Sequence, residues 1–260
     1  MEKLRVALLQ NDIVWEDVDA NLSYCEKALQ ALNGDVHIAV LPEMFTTGFS
    51  MSATQYAEEG EGKTLTALKA WAARYDVALA GSFIAREDGK CYNRGFFVKP
   101  CGEVTFYDKR HLFRMGDEGK VFTAGNRRVI VEYREWRIAL FICYDLRFPV
   151  WSRNVGNEYD LALYVASWPQ VRSHVWRSLL VARAIENACY VCGVNRVGED
   201  GMKLVYTGDT MAIDFKGATV AQVPDGEQGC VVVELDGDKL QSFRTKFPTW
   251  RDADEFTIED

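Results

Sequence analysis

The sequence lacks the features of a membrane protein or a nucleic-acid-binding protein. In its 260 residues, no apolar run approaches the roughly 20 residues that span a bilayer. The stretch MEKLRVALLQND enters a strand pattern directly, without the apolar region and small-residue cleavage site of a signal peptide. Its 30 Lys and Arg are outnumbered by 38 Asp and Glu, and no basic stripe is present to neutralise phosphates. We therefore expect a cytoplasmic protein that binds neither membranes nor nucleic acids.

Cysteines are few and scattered, which argues against the dense disulfide framework of a small secreted domain. The seven cysteines form an odd set in a long chain, as expected for a reducing compartment. Cys189 and Cys192 have Cys-x-x-Cys spacing, but they fall where a predicted helix ends, whereas redox pairs gain reactivity at a helix N-terminus. No second cysteine pair lies at zinc-ligand spacing, and the three histidines are far apart. These patterns predict structural cysteines and no metal site.

Glycine-based nucleotide motifs are also missing. The stretch GEGKT at 60–64 resembles the end of a phosphate-binding loop, but Ala57 stands where the first glycine is needed. A solvated loop that caps the next helix is the expectation there. The chain has neither a Gly-x-Ser-x-Gly elbow nor a dinucleotide-binding glycine fingerprint. These absences argue against a P-loop enzyme, an elbow-type serine hydrolase and a dinucleotide-dependent enzyme.

Strand-like and helix-like segments alternate along the first two thirds of the chain. Predicted strands are RVALLQ, VHIAVLP, VALAGSFIA, the hairpin NRGFFVKPCGEVTFY, the pair RVIVEYREWRIALFICYD, LALYVASWP and YVCGVNRVG, then KLVYTGDTMAID, ATVAQV and GCVVVEL in a β-rich last stretch. Predicted helices are residues 15–33 ended by Gly34, TLTALKAWAARY, a short helix from Pro149, and residues 172–188. Strands that are apolar on both faces and separated by helices predict sheets covered by helices. Without a linker or an internal repeat, one α/β domain over residues 1–260 is expected.

Three reactive groups stand at the ends of predicted strands: Glu43 after VHIAVLP, Lys109 after TFYD, and Cys143 after IALFI. Sites in open α/β sheets form beyond the carboxyl ends of strands, so these groups can meet in one site. A thiol there needs a base to form the thiolate, a buried carboxylate can be that base, and a lysine can hold an oxyanion. Each group also has a structural alternative: a solvated loop carboxylate, a surface lysine and a core thiol. Spacing alone leaves both interpretations open.

The same residues resemble the motifs of the nitrilase (carbon–nitrogen hydrolase) superfamily. LPEMFTTGF is similar to its glutamate motif, YDKRHLF to its lysine motif and CYDLRFP to its cysteine motif, in that chain order. The resemblance extends over nearly the whole chain and, through KRHLFRMGDE and CYDLRFPVWSRN, points to the bacterial ω-amidase branch. It implies that Cys143 ends its strand in a strained turn shaped by Asp145, Arg147 and Pro149, in which Arg147 has a structural role.

The resemblance also implies the overall architecture. It indicates a four-layer αββα sandwich of the nitrilase type in a single domain, without a metal or an organic cofactor. It further implies a homodimer, formed through the helices around FPVWSRN and ARAIEN. The tail from about residue 243 to residue 260 is expected to lie across the partner subunit.

Catalytic roles follow from the resemblance residue by residue. It implies Glu43 as general base, Cys143 as nucleophile, and Lys109 with the backbone N–H of Tyr144 as oxyanion donors. Glu118, nine residues after Lys109, is similar to a second glutamate that many family members place beside the lysine and the substrate. The alternative for Glu118 is a solvated carboxylate in MGDEGK.

The implied substrate is a small dicarboxylate monoamide such as 2-oxoglutaramate, 2-oxosuccinamate or succinamate. An enzyme of net charge −8 repels such anions, so a local cation is needed in the pocket. Arg172 is the expected cation, ahead of Arg114 and Arg196, and its alternative is an exposed helix start. Trp168 and Phe113 are the expected pocket walls. An N-carbamoyl amidase or a nitrilase is the alternative hydrolase, and a thiol acyltransferase and a non-catalytic binding protein are the alternatives from other classes.

Overall fold

Two β-sheets form the centre of the molecule. The computed structural model describes residues 1–32 and 36–258. The strands are β1 (Leu4–Gln10), β2 (Ile38–Val40), β3 (Glu58–Glu59), β4 (Ala78–Glu87), β5 (Lys90–Val98), β6 (Val104–Asp108), β7 (Ile130–Tyr133), β8 (Trp136–Ile142), β9 (Leu161–Ala166), β10 (Tyr190–Asn195), β11 (Val197–Glu199), β12 (Val205–Thr207), β13 (Met211–Ile213), β14 (Thr219–Gln222) and β15 (Gly229–Leu235). The helices are α1 (Val18–Gln30), α2 (Ala53–Tyr56), α3 (Lys63–Tyr75), α4 (Glu118–Val121), α5 (Ser173–Asn187) and α6 (Gly237–Lys246). Within the described ranges, none of these helices is long and apolar enough to cross a membrane.

Strand direction decides which chain segments can meet. The first sheet has the order β15-β1-β2-β4-β5-β6 with β3 beside β4, and the second has the order β14-β13-β10-β9-β8-β7. β1, β2 and β4 run parallel, as do β8, β9 and β10. β5 and β6 each run antiparallel to the strand before, so β6 returns to the direction of β4. Consequently β2 and β6 end at one edge of the first sheet, and β8 and β9 end together in the second.

The two sheets pack face to face around one apolar core. Leu8 from β1 and Ile142 from β8 belong to the same buried cluster, which joins the inner faces of both sheets. Leu68 of α3 belongs to a second cluster on the outer face of the first sheet. On the second sheet, α5 buries Trp176 and Leu180. The layers are therefore helix, sheet, sheet and helix, which confirms the expected αββα sandwich.

The N-terminal helices begin where local signals predict. The Asp17 side chain accepts a hydrogen bond from the backbone N–H of Ala20 at 2.9 Å, which caps α1. α1 then buries Leu22, Cys25 and Leu29, which lie three to four residues apart on one face. Residues 60–62 of the GEGKT stretch form the expected loop, and Lys63 and Thr64 begin α3. The expected helix end at Gly34 lies outside the described residues.

The prediction of a short helix from Pro149 is wrong. Residues 149–152 form turns, and the helical segment comes earlier, as a 3-10 helix at Cys143–Arg147. The Asp145 carboxylate accepts the backbone N–H of Ile142 at 3.0 Å, which winds the chain directly after β8. Pro149 follows this turn, where its missing N–H is not needed.

The β-rich interpretation of the last stretch missed α6. Asp236 caps this helix by accepting the backbone N–H of Lys239 at 3.0 Å. Arg244 near its end donates to Asp160 at 2.6 Å, and both side chains are buried. Because few of its side chains are buried, α6 carries little of the apolar periodicity by which helices are predicted.

Candidate active site

Chain segments that follow strands meet at one edge of the sandwich. Glu43 follows β2, Lys109 directly follows β6, and Cys143 directly follows β8. Ser167 directly follows β9, the neighbour of β8 in the second sheet. The Ser167 backbone N–H donates to Glu43 Oε2 at 2.8 Å, although the two residues are 124 positions apart. The packing of the sheets therefore brings the expected groups into one site.

Lys109 lies at the centre of this site. Its Nζ donates to Glu43 Oε1 at 2.8 Å and to Glu118 Oε1 and Oε2 at 3.0 Å each. All three side chains are 0% exposed. A surface lysine and solvated carboxylates, the alternatives left open by the sequence, are therefore wrong for these residues.

Cys143 is held in a turn that presents its sulfur to a pocket. Its backbone φ of +45° lies in the left-handed region, which residues other than glycine rarely adopt. The Cys143 sulfur lies 4.0 Å from the Ser167 carbonyl oxygen, and the Glu43 carboxylate is close enough for its negative charge to act on the thiol. Cys143 also lines the large pocket described below. This geometry differs from that of an ordinary core thiol.

The Asp145 carboxylate stabilises the turn that carries Cys143. Besides the Ile142 N–H, this buried carboxylate accepts the Tyr107 hydroxyl at 2.7 Å and the His111 backbone N–H at 2.9 Å. The His111 ring nitrogen Nδ1 lies 2.8 Å from the same carboxylate, and the ring stacks on Phe148 with centroids 3.7 Å apart. One carboxylate thus ties the segment after β6 to the segment after β8.

Burial and charge together set the protonation of the site. Burial and the negative charge of Glu43 raise the pKa of the Cys143 thiol well above its usual range, against the effect of Lys109. Burial alone would lower the pKa of Lys109, but Glu118 and Glu43 more than offset it, so the pKa is raised. Burial also raises the pKa of Glu118, against the effect of Lys109. The resting site therefore contains a neutral thiol and an ammonium.

A pocket of about 730 Å³ opens in front of Cys143. Four residues expected at the substrate site line it: Phe113, Tyr144, Trp168 and Arg172. The Tyr144 ring packs edge-on against Phe113 at 5.2 Å, and Trp168 Nε1 donates to the Arg172 carbonyl oxygen at 2.8 Å. The β11–β12 hairpin supplies another wall with Asp200 and Tyr206 among its residues.

Two arginines face this pocket. The Arg172 guanidinium lies 5.5 Å from the centre of the Phe113 ring, and that of Arg147 lies 5.0 Å from the centre of the Trp168 ring. The structural role assigned to Arg147 from its turn is therefore incomplete, because its side chain reaches the pocket.

The two less favoured arginines do not line the pocket. Arg114 is exposed, whereas Arg196 is fully buried. Arg196 donates to backbone oxygens of Ile13 and Val197 at 3.0 Å each. Neither side chain is among those that line the pocket in the described part of the chain.

Sequence reasoning missed Asn93, Ser82 and Ser167. Asn93 Nδ2 donates to Glu43 Oε1 at 2.7 Å and to Glu118 Oε1 at 3.1 Å. Asn93 and Ser82 lie inside β5 and β4, where polar residues normally indicate a solvent-facing position. Ser167 contributes a backbone group, which has no side-chain signal. The one sequence signal for Asn93 was a polar residue beside the apolar residues of its strand.

The Cys-x-x-Cys pair lies elsewhere. Cys189 follows α5, Cys192 lies in β10, and burial raises the pKa of each thiol to about 12. Thiols of this kind are inert at neutral pH. Among residues 1–32 and 36–258, no group of three or more His, Cys, Asp or Glu side chains is arranged to hold a metal ion.

The site occurs in a chain with clear relatives. A family model described as carbon-nitrogen hydrolase matches residues 5–245. The chain is 47% identical to Omega-amidase YafV of Escherichia coli over 258 residues, which cover 99% of this chain and 100% of that protein. It is 30% identical to 2-oxoglutaramate amidase of Bacillus subtilis, with 96% of this chain and 97% of that protein covered.

A solved structure shares the whole architecture. A CN-hydrolase superfamily protein from Xanthomonas campestris superimposes with a TM-score of 0.97 and 40% sequence identity, and 100% of both chains is covered. The matched regions include every segment that carries Glu43, Lys109, Glu118 and Cys143.

Proposed function

The chain belongs to the carbon–nitrogen hydrolase family, and from that premise we propose that it is an ω-amidase, which hydrolyses the terminal amide of small dicarboxylate monoamides to acid and ammonia. The geometry at Cys143 carries this proposal: a thiol faces a pocket, with the buried Glu43 carboxylate and Lys109 ammonium beside it. Full-length likeness to an Omega-amidase and to a 2-oxoglutaramate amidase supports the choice of substrate class. A binding protein would not need this buried cluster of ionised groups, whose desolvation costs free energy.

The proposed reaction begins with proton transfer. Glu43 takes the thiol proton while the Cys143 sulfur attacks the amide carbon, and the carbonyl electrons move to oxygen. Lys109 and the Tyr144 backbone N–H hold this oxyanion. Tyr144 lies in the first turn of the 3-10 helix Cys143–Arg147, where backbone N–H groups have no partner within the helix. Such donors typically contribute about 3–4 kcal/mol each when they face a developing negative charge.

Glu43 then returns the proton. As the tetrahedral intermediate collapses, the carbon–nitrogen bond breaks, and the departing nitrogen takes the proton from Glu43 and leaves as ammonia. A thioester on Cys143 remains. Water gives a proton to Glu43 and attacks the thioester carbon, and the sulfur recovers the proton as the acid is released.

Lys109 has to exchange a contact during this reaction. An ammonium has three donors, and in the resting site Nζ directs hydrogen bonds at three carboxylate oxygens. When Glu43 accepts the thiol proton, it loses its negative charge and its attraction for Lys109 weakens. One N–H is thereby released as the oxyanion forms. Glu118, which also accepts the Phe113 backbone N–H, keeps Lys109 in place.

The far carboxylate of the substrate is proposed to bind Arg172 or Arg147. Both guanidinium groups are half-buried on the pocket wall and lie over aromatic rings, and no ion pair within the described residues joins either of them to a carboxylate. A partly buried arginine without an acidic partner is suited to bind a carboxylate ligand through two hydrogen bonds. Trp168 and Phe113 lie beside these arginines and limit the length of the acyl chain.

Ammonia release from paired substrates tests the proposal. Succinamate should have a kcat/KM about tenfold or more above that of butyramide, which has the same chain without the carboxylate, because a charge-assisted hydrogen bond contributes roughly 1.5–3 kcal/mol. Faster cleavage of nitriles or ureido acids would instead indicate a nitrilase or an N-carbamoyl amidase. Added hydroxylamine separates hydrolysis from acyl transfer, since an acyltransferase would form mainly the hydroxamate.

We also propose that the chain is a single domain that forms a homodimer through the segment 148–154 and α5. Val150 is 56% exposed and Ile185 is 54% exposed, so both segments present apolar side chains to solvent. Phe243, expected to begin the intersubunit tail, packs instead on Phe215 of the same chain at 4.9 Å. The contribution of the tail is therefore proposed to begin at Phe247, which is 58% exposed. Light scattering at micromolar concentration should give twice the mass of one chain, and the mass of a single chain would refute the dimer.

A further inference from the structure

Asn93 joins the two buried carboxylates of the site. Its Nδ2 donates to Glu43 Oε1 at 2.7 Å and to Glu118 Oε1 at 3.1 Å, so a single amide group bridges them. The Asn93 side chain is fully buried, and its own backbone carbonyl accepts the Lys109 N–H at 3.0 Å. The Asn93 side chain therefore contacts both carboxylates of the cluster, and its backbone is joined to the backbone of Lys109.

The orientation of this amide is determined by a second hydrogen-bond chain. The Met44 backbone N–H donates to Ser82 Oγ at 2.9 Å. A backbone N–H can only donate, so the Ser82 hydroxyl uses its own proton on Asn93 Oδ1, at 3.0 Å. The oxygen of the Asn93 amide is thereby turned away from the carboxylates, and both N–H groups of Nδ2 are turned toward them.

We propose that Asn93, oriented by Ser82, is a positioning residue that keeps Glu43 ionised and aimed at the thiol. Two buried carboxylates share the one positive charge of Lys109, so the cluster carries an excess negative charge. The two N–H donors of Asn93 stabilise that excess charge without adding a proton that could be lost. Because hydrogen bonds donated to a carboxylate favour its ionised form, the Asn93 donor favours the form of Glu43 that can accept the thiol proton.

The pH dependence of the site reports this role. The titratable groups that face Glu43 are Lys109 after β6, Glu118 on α4 and Cys143 after β8. Losing the Asn93 donors removes hydrogen bonds that favour the ionised forms of both carboxylates, and for Glu118 this loss raises the pKa. The acidic limb of the profile of kcat/KM against pH therefore moves to higher pH, whereas a purely structural role would lower stability without moving this limb.

Three variants grade the effect. Asn93→Asp replaces the donors by a third carboxylate and should give the largest shift. Asn93→Leu removes the donors and should move the acidic limb to higher pH by about one unit. At a pH below the limb, this shift lowers kcat/KM about tenfold. Ser82→Ala keeps the amide but releases its orientation, so it should give a smaller shift in the same direction.

The control is Asn154→Leu. Asn154 is also buried and donates to backbone oxygens, of Tyr159 at 2.9 Å and Asn187 at 3.0 Å, but it lies outside the site. Because it belongs to the segment proposed for the dimer, light scattering checks that the variant keeps the oligomeric state of the unaltered protein. This variant should lower the melting temperature and leave the pH profile in place. Thermal unfolding of all variants separates loss of folding from loss of the base. If Asn93→Leu does not fold, Ser82→Ala decides the question.

Two readouts distinguish this role from the proposed function, on which it depends through Glu43. The first is ammonia release from succinamate, and the second is the rate of Cys143 alkylation by iodoacetamide against pH, which needs no turnover. Unchanged acidic limbs in folded Asn93→Leu and Ser82→Ala would overturn the role of Asn93 while the ω-amidase proposal stands. Absence of ammonia release by the unaltered protein from any amide would overturn the ω-amidase proposal, and the alkylation profiles would still test Asn93.

Discussion

The pocket has two regions that are built differently. In the first, the floor, Lys109 and Cys143 line the pocket and the carboxylates of Glu43 and Glu118 are buried directly behind Lys109. The second, the wall, is formed by Phe113, Arg147, Trp168 and Arg172. In the floor, Glu43, Lys109 and Glu118 are completely buried and hydrogen-bonded to one another or to Asn93. In the wall, the two arginines are half-buried and lie over aromatic rings. A floor with fixed partners suits charge that develops in a transition state, because its dipoles do not have to reorganise. A wall with free cations suits ground-state binding of an anion. Changes in the floor should therefore act on kcat, and changes in the wall should act on KM and specificity.

The largest expected effect in the floor comes from the nucleophile. Cys143→Ala and Cys143→Ser should each lower turnover by about 10⁴-fold or more without unfolding the protein, because serine has no readily formed anion and Glu43 is too weak a base for a hydroxyl. Ammonia release and circular dichroism provide the two measurements. Residual activity near that of the unaltered protein would show that another residue is the nucleophile.

Alkylation sharpens this assignment. Cys101 and Cys230 are exposed, so a background carrying Cys101→Ser and Cys230→Ser removes their competition for iodoacetamide. In this background, Cys143 should be modified before the buried Cys189 and Cys192, and succinamate should protect it. Prior labelling of Cys189 or Cys192 with retained activity would contradict the role of Cys143.

The next effect comes from the cation of the floor. Lys109→Ala should lower kcat by roughly 10²–10³-fold and change KM little, since an oxyanion contact exists mainly in the transition state. Lys99→Ala is the matched control, because Lys99 pairs with Glu103 on the surface. A large rise in KM with kcat retained would show that Lys109 contributes to ground-state binding of the substrate and not to stabilisation of the oxyanion.

Glu118→Gln should lower kcat by about tenfold or more. The substitution keeps the shape of the side chain but removes the charge that holds Lys109 at 3.0 Å. Glu103→Gln, at the exposed partner of Lys99, is the control and should have no measurable effect. Activity of Glu118→Gln within a few-fold of the unaltered protein would show that Glu43 alone is sufficient to position Lys109.

The smallest expected effects lie in the wall. Arg172→Leu or Arg147→Leu should lower the preference for succinamate over butyramide by about tenfold, mainly through KM, and leave butyramide hydrolysis within about twofold. Arg74→Leu, which removes a surface pair with Glu26, is the control. If both wall variants lower kcat for both substrates equally, the division between floor and wall fails.

Local sequence patterns were sufficient to predict most strands and the three reactive groups at strand ends. Both predictions rest on apolar periodicity and on the residues that end a strand, which depend only on neighbouring residues. They failed where a distant contact overrides the local pattern. Asp145 moves the helical turn ahead of Pro149, and Asp160 secures α6 through Arg244. The role of Asn93 was not predicted for the same reason, since nothing near it in the chain indicates that two carboxylates accept hydrogen bonds from its side chain.

By itself, the sequence determined the alternation of strands and helices, and its motifs indicated the family and predicted Glu43, Lys109 and Cys143 as site residues. Tertiary structure alone decided which strand ends adjoin, and so which charges are buried together. A hydrogen bond between groups 124 residues apart depends on strand order and sheet packing, which no local pattern encodes. Burial then changes the chemistry of these groups: it raises the pKa of the Cys143 thiol, which the proposed mechanism answers by passing the thiol proton to a neighbouring carboxylate.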